Sequence, residues 1–121
     1  MPTILVIDYE SPLRDNLIEL LEIEDFNVVE AQNEIAGIQA AITHQPDLIL
    51  CDLMVPQFIG YEVLKTLRTE PTTANTPFTL LSAVAEKNAI KTGISLGADA
   101  YLTKPFSIHE LLQVIKHQLE M

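Results

Sequence analysis

The sequence predicts an α/β fold, a doubly wound five-stranded parallel sheet with helices on both faces. Short apolar runs, each too short for a helix, recur five times, and each is followed by a segment with helical spacing. The runs are apolar at consecutive positions, the pattern of strands buried on both faces. Two of them end abruptly in a carboxylate, Asp8 and Asp52. Five strand-then-helix units of similar length require parallel pairing through right-handed crossovers.

Thr3-Ile4-Leu5-Val6-Ile7 is the first strand and stops at Asp8. Ser11-Pro12 then opens a helix as N-cap and first helical residue; Leu13, Leu17, Leu20 and Leu21 give it an apolar stripe that ends near Asp25. Asn27 to Ala31 is a short second strand. Asn33 caps a second helix, whose Ile35, Ile38 and Ile42 are expected to face the core, and Pro46 closes it. Leu48 to Cys51 is the central strand, ending in Asp52, and the loop from Leu53 to Gly60 is marked by Pro56 and Gly60. Helix 3 follows from Gly60 with Val63, Leu64 and Leu67 inward, and Thr69 to Pro77 reads as a polar surface connection. Phe78 to Leu81 is a fourth buried strand, terminating in Ser82. Helix 4 is predicted from about Ala85 to Leu96 with Ala89, Ile90, Gly93 and Ile94 inward, and Gly97 is placed to end it in the left-handed region. Ala100-Tyr101-Leu102 is the fifth strand, with Lys104-Pro105 at its exit. Ser107 to Glu110 forms a capping box, with Phe106 and Leu111 as a hydrophobic staple, ahead of a last helix carrying Ile108, Leu111, Leu112, Ile115 and Leu119.

The chain has 121 residues, the length of one domain, and the expectation is a single domain over 1–121. Hydrophobic residues make up 48% of it, which excludes a disordered tail, yet no apolar run approaches the roughly 18 residues of a membrane span. Thr3 to Ile7 is too short for a signal peptide, so a cytoplasmic location is the expectation. Cys51 is the only cysteine and reads as a small core residue in a reducing compartment. Seventeen acidic against seven basic side chains give a formal charge of −10, so direct nucleic-acid binding lacks its electrostatic footprint.

In such a sheet the residues just past strands 1, 3, 4 and 5 gather on one edge: Asp8, Asp52, Ser82 and Lys104. Two close carboxylates repel, and a hard divalent cation such as Mg2+ relieves that through oxygen ligands. A lysine and a hydroxyl supply what a phosphoryl group needs, a charge partner and a hydrogen-bond donor. The chemistry expected is phosphoryl transfer onto Asp52, a carboxylate nucleophile at the end of the central strand. Alone, Lys104 would read as a surface lysine and Ser82 as a strand-end hydroxyl; the register with Asp52, and Pro105-Phe106 after Lys104, give them a functional reading. His44, His109 and His117 lie on helical segments without metal-ligand partners and read as solvent-facing.

Asp8, the turn Asp52-Leu53-Met54-Val55-Pro56, Ser82-Ala83 and the segment from Gly97 to Phe106, in this order and spacing, resemble the receiver domain of response regulators in two-component signalling. The resemblance spans essentially the whole chain. It implies a flavodoxin-like receiver fold with strand order 2-1-3-4-5, and Asp52 as phosphoacceptor. It also implies a histidine kinase or histidine phosphotransfer protein as donor, in a phosphorelay. Asp8, Asp52 and the Met54 backbone carbonyl would hold Mg2+; Ser82 and Lys104 would bind the phosphoryl oxygens, and the Lys104-Pro105 bond would be cis. Tyr101 stands at the family's aromatic switch position, turning inward as Ser82 moves toward the phosphoryl group. That movement would change the surface of helix 4, strand 5 and helix 5 for a downstream partner, with a homodimer there left open. A stand-alone receiver of this kind is a phosphoryl acceptor rather than an enzyme, with self-catalysed phosphorylation and dephosphorylation left open.

The sequence also departs from the family's pattern. Tyr9 replaces the second of two adjacent acids, a direct metal ligand in the family, and an uncharged phenol is a poor Mg2+ ligand. Mg2+ binding is therefore expected to be weakened, with Glu10 left to reach the metal through water. Ile59 stands where an acid is usual and adds to Phe58 and Val55 as an apolar patch. Met54 and Val84 are apolar and cannot position a hydrolytic water, which points to a long-lived phosphoryl group. The alternative reading is a pseudo-receiver, the same fold acting as a phosphorylation-independent interaction module. A hydrolase of the haloacid dehalogenase type would want an acid where Met54 stands. Flavin or dinucleotide binding is disfavoured because the turn Asp8-Tyr9-Glu10-Ser11 has no glycine and carries negative charge.

Overall fold

The computed structural model describes residues 1–53, 60–84 and 86–120. Strands β1 (Thr3–Ile7), β2 (Asn27–Ala31), β3 (Leu48–Asp52), β4 (Phe78–Ser82) and β5 (Ala100–Thr103) alternate with helices α1 (Ser11–Ile23), α2 (Glu34–His44), α3 (Gly60–Thr69), α4 (Lys87–Ser95) and α5 (Ile108–Gln118). The strands form one parallel sheet in the order β2-β1-β3-β4-β5. The chain reverses its direction of growth between β1 and β3, and the crevice this creates lies at their carboxyl ends.

Alternate residues along each strand feed two core layers. Leu5, Ile7, Ile49, Cys51 and Leu80 pack with Ala41 of α2 and with Val63, Leu64 and Leu67 of α3. Ile4, Val6, Leu50, Leu81 and Leu102 pack on the other face against Leu17 and Leu21 of α1 and Leu111 and Ile115 of α5. The buried Cys51 thiol, its acidity suppressed by burial, is part of the first layer.

Several isoleucines and leucines predicted inside are not. Ile35 is 71% exposed, and Ile42, Ile94, Ile108, Leu13 and Leu20 are exposed as well. On α2 the residues that meet the sheet are Gly37 and Ala41. A β-carbon at Gly37 would lie 2.7 Å from Ile7 Cδ1, so small residues let α2 sit close to β1 and leave Ile35 and Ile42 on the flanks, while Ile38, half-buried, packs against the core as expected. Helix α4 begins at Lys87, after the N-cap Glu86, rather than near Ala85, which lies outside the described residues. Helix α1 ends at Ile23, and Asp25 takes a left-handed φ of 67°. The connection after α3 is not wholly a surface one: Thr73 is buried, its hydroxyl donating to Leu67 O at 2.7 Å.

At the start of α1 the N-cap is Glu10 rather than Ser11, with no side-chain cap, and Ser11 is already helical, but three other local expectations hold. Asn33 Oδ1 accepts from the Ala36 N–H, and Ser107 and Glu110 form the reciprocal capping box. Gly97 has φ +111°. Gly60 serves the site directly: a β-carbon there would lie 2.8 Å from Leu53 Cα and 2.9 Å from Asp52 O, so α3 can start this close to the end of β3 only without a side chain.

Candidate functional site

Strand register brings the predicted residues together. Ile7 pairs with Cys51, so the next residues along, Asp8 and Asp52, emerge side by side from β1 and β3. Asp52 pairs with Leu81 and Ser82 with Thr103, which places Ser82 one residue and Lys104 two residues further along the same edge. Both carboxylates are buried, Asp8 at 3% and Asp52 at 4% exposure, and Ser82 is fully buried.

Lys104 closes the cluster. Its Nζ lies 3.2 Å from Asp52 Oδ2 and 3.9 Å from Asp8 Oδ2, so one ammonium faces two carboxylates. The Lys104-Pro105 peptide bond is cis. Asp8 Oδ1 accepts from the Glu10 N–H at 3.0 Å, which leaves Oδ2 toward the lysine. Burial raises the Asp8 carboxyl above its ordinary value; the Glu10 N–H opposes this, and the Asp52 charge adds to it.

A carboxylate whose folded pKa is raised stabilises the fold fully only below its unfolded pKa, and that contribution is lost as pH rises through the folded value. Asp8→Asn, which keeps the acceptor for Glu10, is therefore expected to raise Tm by a few °C at pH 7 without divalent cation. Melts repeated below the carboxylate range should show the two proteins alike.

Ser82 Oγ accepts from the Val84 N–H at 3.0 Å and keeps its own proton to donate. Val84 O in turn accepts from the Tyr101 hydroxyl at 2.7 Å, so the half-buried Tyr101 ring is tied to the β4–α4 connection. From α3, the Tyr61 hydroxyl donates to Ala89 O of α4 at 2.9 Å. Met54, Val55, Phe58 and Ile59, the expected carbonyl ligand and apolar patch, lie outside the described residues.

Tyr9 is 47% exposed. Hydrogen bonding with the adjacent Glu10 side chain, and the charge of that carboxylate, raise the phenol above its usual pKa. Among the described residues no three His, Cys, Asp or Glu side chains are grouped to hold a metal. The donor set present is two buried carboxylates beside one ammonium, and this fits Mg2+, which takes one or two carboxylates and completes its octahedron with water and phosphate oxygens.

Two features were not read from the sequence. Arg14 is buried under the β1–α1 turn, its Nη1 donating to Asp8 O at 2.7 Å. The signal for it was its place three and seven residues before the buried Leu17 and Leu21, on the inward stripe of α1. An apolar groove of about 420 Å³ also runs from the site between α1 and the segment after β5, lined by Leu13, Leu17, Leu20 and Phe106, with Asp8 and Lys104 at one end. Leu13 and Leu20, at the exposed edge of the apolar stripe of α1, line this groove. His44, His109 and His117 are all exposed, as expected.

A sequence model of the response regulator receiver domain matches residues 4–116. The phosphate regulon transcriptional regulatory protein PhoB of Pseudomonas aeruginosa is 36% identical over 114 residues, covering 94% of this chain and 50% of that protein. The DNA-binding dual master transcriptional regulator RpaA of Synechocystis is 38% identical over 116 residues, covering 96% of this chain and 48% of that protein. The chain thus spans about half the length of the curated relatives it matches. Among solved structures, the Francisella response regulator 1452 receiver domain superposes with a TM-score of 0.91 at 30% identity, covering 99% of this chain and 98% of that one. No helix among the described residues is long and apolar enough to cross a membrane.

Proposed function

The chain belongs to the response regulator receiver domain family, and on that premise we propose that it is a phosphorylation-controlled binding module whose Asp52 accepts a phosphoryl group from a histidine kinase or histidine phosphotransfer protein. The observation that carries the reading is the Lys104 ammonium 3.2 Å from Asp52 Oδ2, at a buried carboxylate pair on the sheet's carboxyl edge. An oxygen of Asp52 attacks phosphorus, the phosphorus–nitrogen bond of the donor phosphohistidine breaks, and the electron pair leaves on the imidazole nitrogen. Asp52 becomes an acyl phosphate. Lys104 offsets charge on the phosphoryl oxygens, and the Ser82 hydroxyl, turning from Val84, donates to one of them. Receiver domains generally bind Mg2+; held here by Asp8, Asp52 and Met54 O, it would neutralise further phosphoryl charge. The chain is a phosphoryl acceptor rather than an enzyme in this reading, and a cytoplasmic location goes with it.

Movement of Ser82 removes the acceptor of the Val84 N–H, and Val84 O is where Tyr101 is anchored. Phosphorylation would thus reach the surface formed by α4, β5 and α5, which is read as the face for a downstream protein or for a second copy of the chain. With a formal charge of −10 the domain itself is not read as a nucleic-acid binder.

The test is incorporation of phosphate from acetyl phosphate with and without Mg2+, read by phosphate-affinity electrophoresis. Mg2+-dependent labelling that disappears in Asp52→Asn supports the reading, and no labelling under any condition overturns it. A second reading, the phosphorylation-independent pseudo-receiver, is favoured by one observation: Tyr9 is half-exposed and engaged with Glu10 instead of supplying a third carboxylate. Tyr9→Asp is expected to tighten Mg2+ about 10-fold by titration calorimetry, an order of magnitude typical of changes around a metal site. Equal isotherms would rule this out.

A further inference from the structure

Asp8 is gripped at three points. Its N–H donates to Ala31 O at 3.1 Å, its Oδ1 accepts from the Glu10 N–H at 3.0 Å, and its carbonyl accepts from Arg14 Nη1 at 2.7 Å. In the first two the partner is a main-chain group that any residue could supply. The third is made by a side chain, a guanidinium 6% exposed, placed under the turn by the first helical turn of α1.

Burying a guanidinium is costly unless its donors are used. Nη2 donates to Ser11 Oγ at 3.1 Å, and Nε lies 3.8 Å from Glu30 Oε1 at the end of β2 and has no hydrogen-bond partner. Lining the apolar stripe of α1 with leucine would be the cheaper way to stabilise the helix. What the arginine adds is a connection between three pieces of chain: the end of β1, the start of α1 and the end of β2. All three meet at Asp8.

We infer that Arg14 is a positioning residue of the phosphoryl site: by holding the Asp8 carbonyl it fixes the β1–α1 turn, and so directs Asp8 Oδ2 toward Lys104 and Asp52. It does this through the backbone and does not touch the phosphoryl group. The inference rests on the reading of Asp8 and Asp52 as the Mg2+ carboxylates. It also bears on Tyr9, because a site with two carboxylates depends more on the aim of each.

The test compares wild type, Arg14→Lys, Arg14→Met and Ser11→Ala, each confirmed folded by circular dichroism. Mg2+ affinity is read by titration calorimetry, and the rate of Asp52 labelling is followed at several Mg2+ concentrations. Arg14→Met is expected to weaken Mg2+ at least 10-fold. Arg14→Lys, which retains one donor for the carbonyl, should weaken it about threefold, intermediate between wild type and Arg14→Met. Labelling should slow at low Mg2+ but return to within about twofold of wild type at saturation, since Arg14 acts on Asp8 and not on the reacting atoms. Ser11→Ala should follow the same pattern in smaller measure. A lower Tm with unchanged Mg2+ affinity would make Arg14 a purely structural residue and overturn the inference. Should Arg14→Met not fold, Arg14→Lys decides by the same criterion. If wild type itself gives no Mg2+ isotherm, the reading of the site falls and the inference with it; if only the variants match wild type, the inference falls alone.

Discussion

Lys104→Met is expected to slow phosphorylation of Asp52 by acetyl phosphate about 100-fold at saturating Mg2+, the scale seen when one preorganised charge-stabilising donor is lost. The reason lies in the balance of charge. Asp8 and Asp52 are almost wholly buried, and the ammonium of Lys104 faces both, at 3.9 and 3.2 Å. A phosphoryl donor is an anion and must approach this pair. With the ammonium gone, the approach is opposed by two carboxylates in a site where solvent screens poorly. Methionine keeps the length of the side chain and its packing beside Pro105 and Phe106, so the loss should be one of rate more than of fold. Lys104→Arg should recover only part of the rate, because a planar guanidinium is wider than the ammonium it replaces. Labelling time courses by phosphate-affinity electrophoresis check both. An unchanged rate for Lys104→Met would remove Lys104 from the chemistry and leave it an ion-pair partner.

The site was legible because each strand ends in a change of residue type. Apolar runs stopping at Asp8, Asp52 and Ser82 give both the strand ends and their register, and parallel pairing then forces the polar residues together. The helix faces were less legible. Isoleucines at helical spacing on α2 read as core, but Gly37 and Ala41 let the helix approach the sheet so closely that Ile35 and Ile42 fall to its flanks. Periodicity reports which residues share a face and not how near that face comes to its neighbour. The buried Arg14 and the half-buried Arg68 were illegible for another reason. Arg68 binds mainly main-chain carbonyls and the shortest contact of Arg14 is to one, Asp8 O, and a carbonyl acceptor leaves no mark in residue type. The same holds for the buried Thr73, whose hydroxyl donates to Leu67 O.

Arg68→Ala is expected to destabilise the protein by about 3 kcal/mol, as lost hydrogen bonds from a charged donor to part-buried carbonyls do, and so to lower Tm by roughly 10 °C. Arg68 stands at the end of α3 with its side chain 18% exposed. Nε and Nη2 donate to Gly97 O at 3.1 and 2.9 Å, and Nη1 donates to Thr76 O at 2.7 Å, with longer contacts to Ala74 O and Thr73 O. Nη2 also meets Asp99 Oδ2 at 2.9 Å. That carboxylate is 44% exposed, so the ion pair is screened and contributes the smaller share. Asp99 does more by accepting the Phe78 N–H at 2.8 Å, which ties the start of β4 to the turn before β5. Alanine leaves the Gly97 and Thr76 carbonyls without these donors, and lysine, with a single nitrogen, can serve only part of the set. This clamp lies at the amino ends of β4 and β5, about 13 Å by strand rise from Ser82. Stability and chemistry should therefore separate: below its melting range Arg68→Ala should bind Mg2+ and label at Asp52 as wild type does. Calorimetric melts measure the first effect, and titration with labelling the second. A Tm within about 3 °C of wild type would show that the clamp is redundant, and a parallel loss of Mg2+ affinity would show that the two edges of the sheet are coupled.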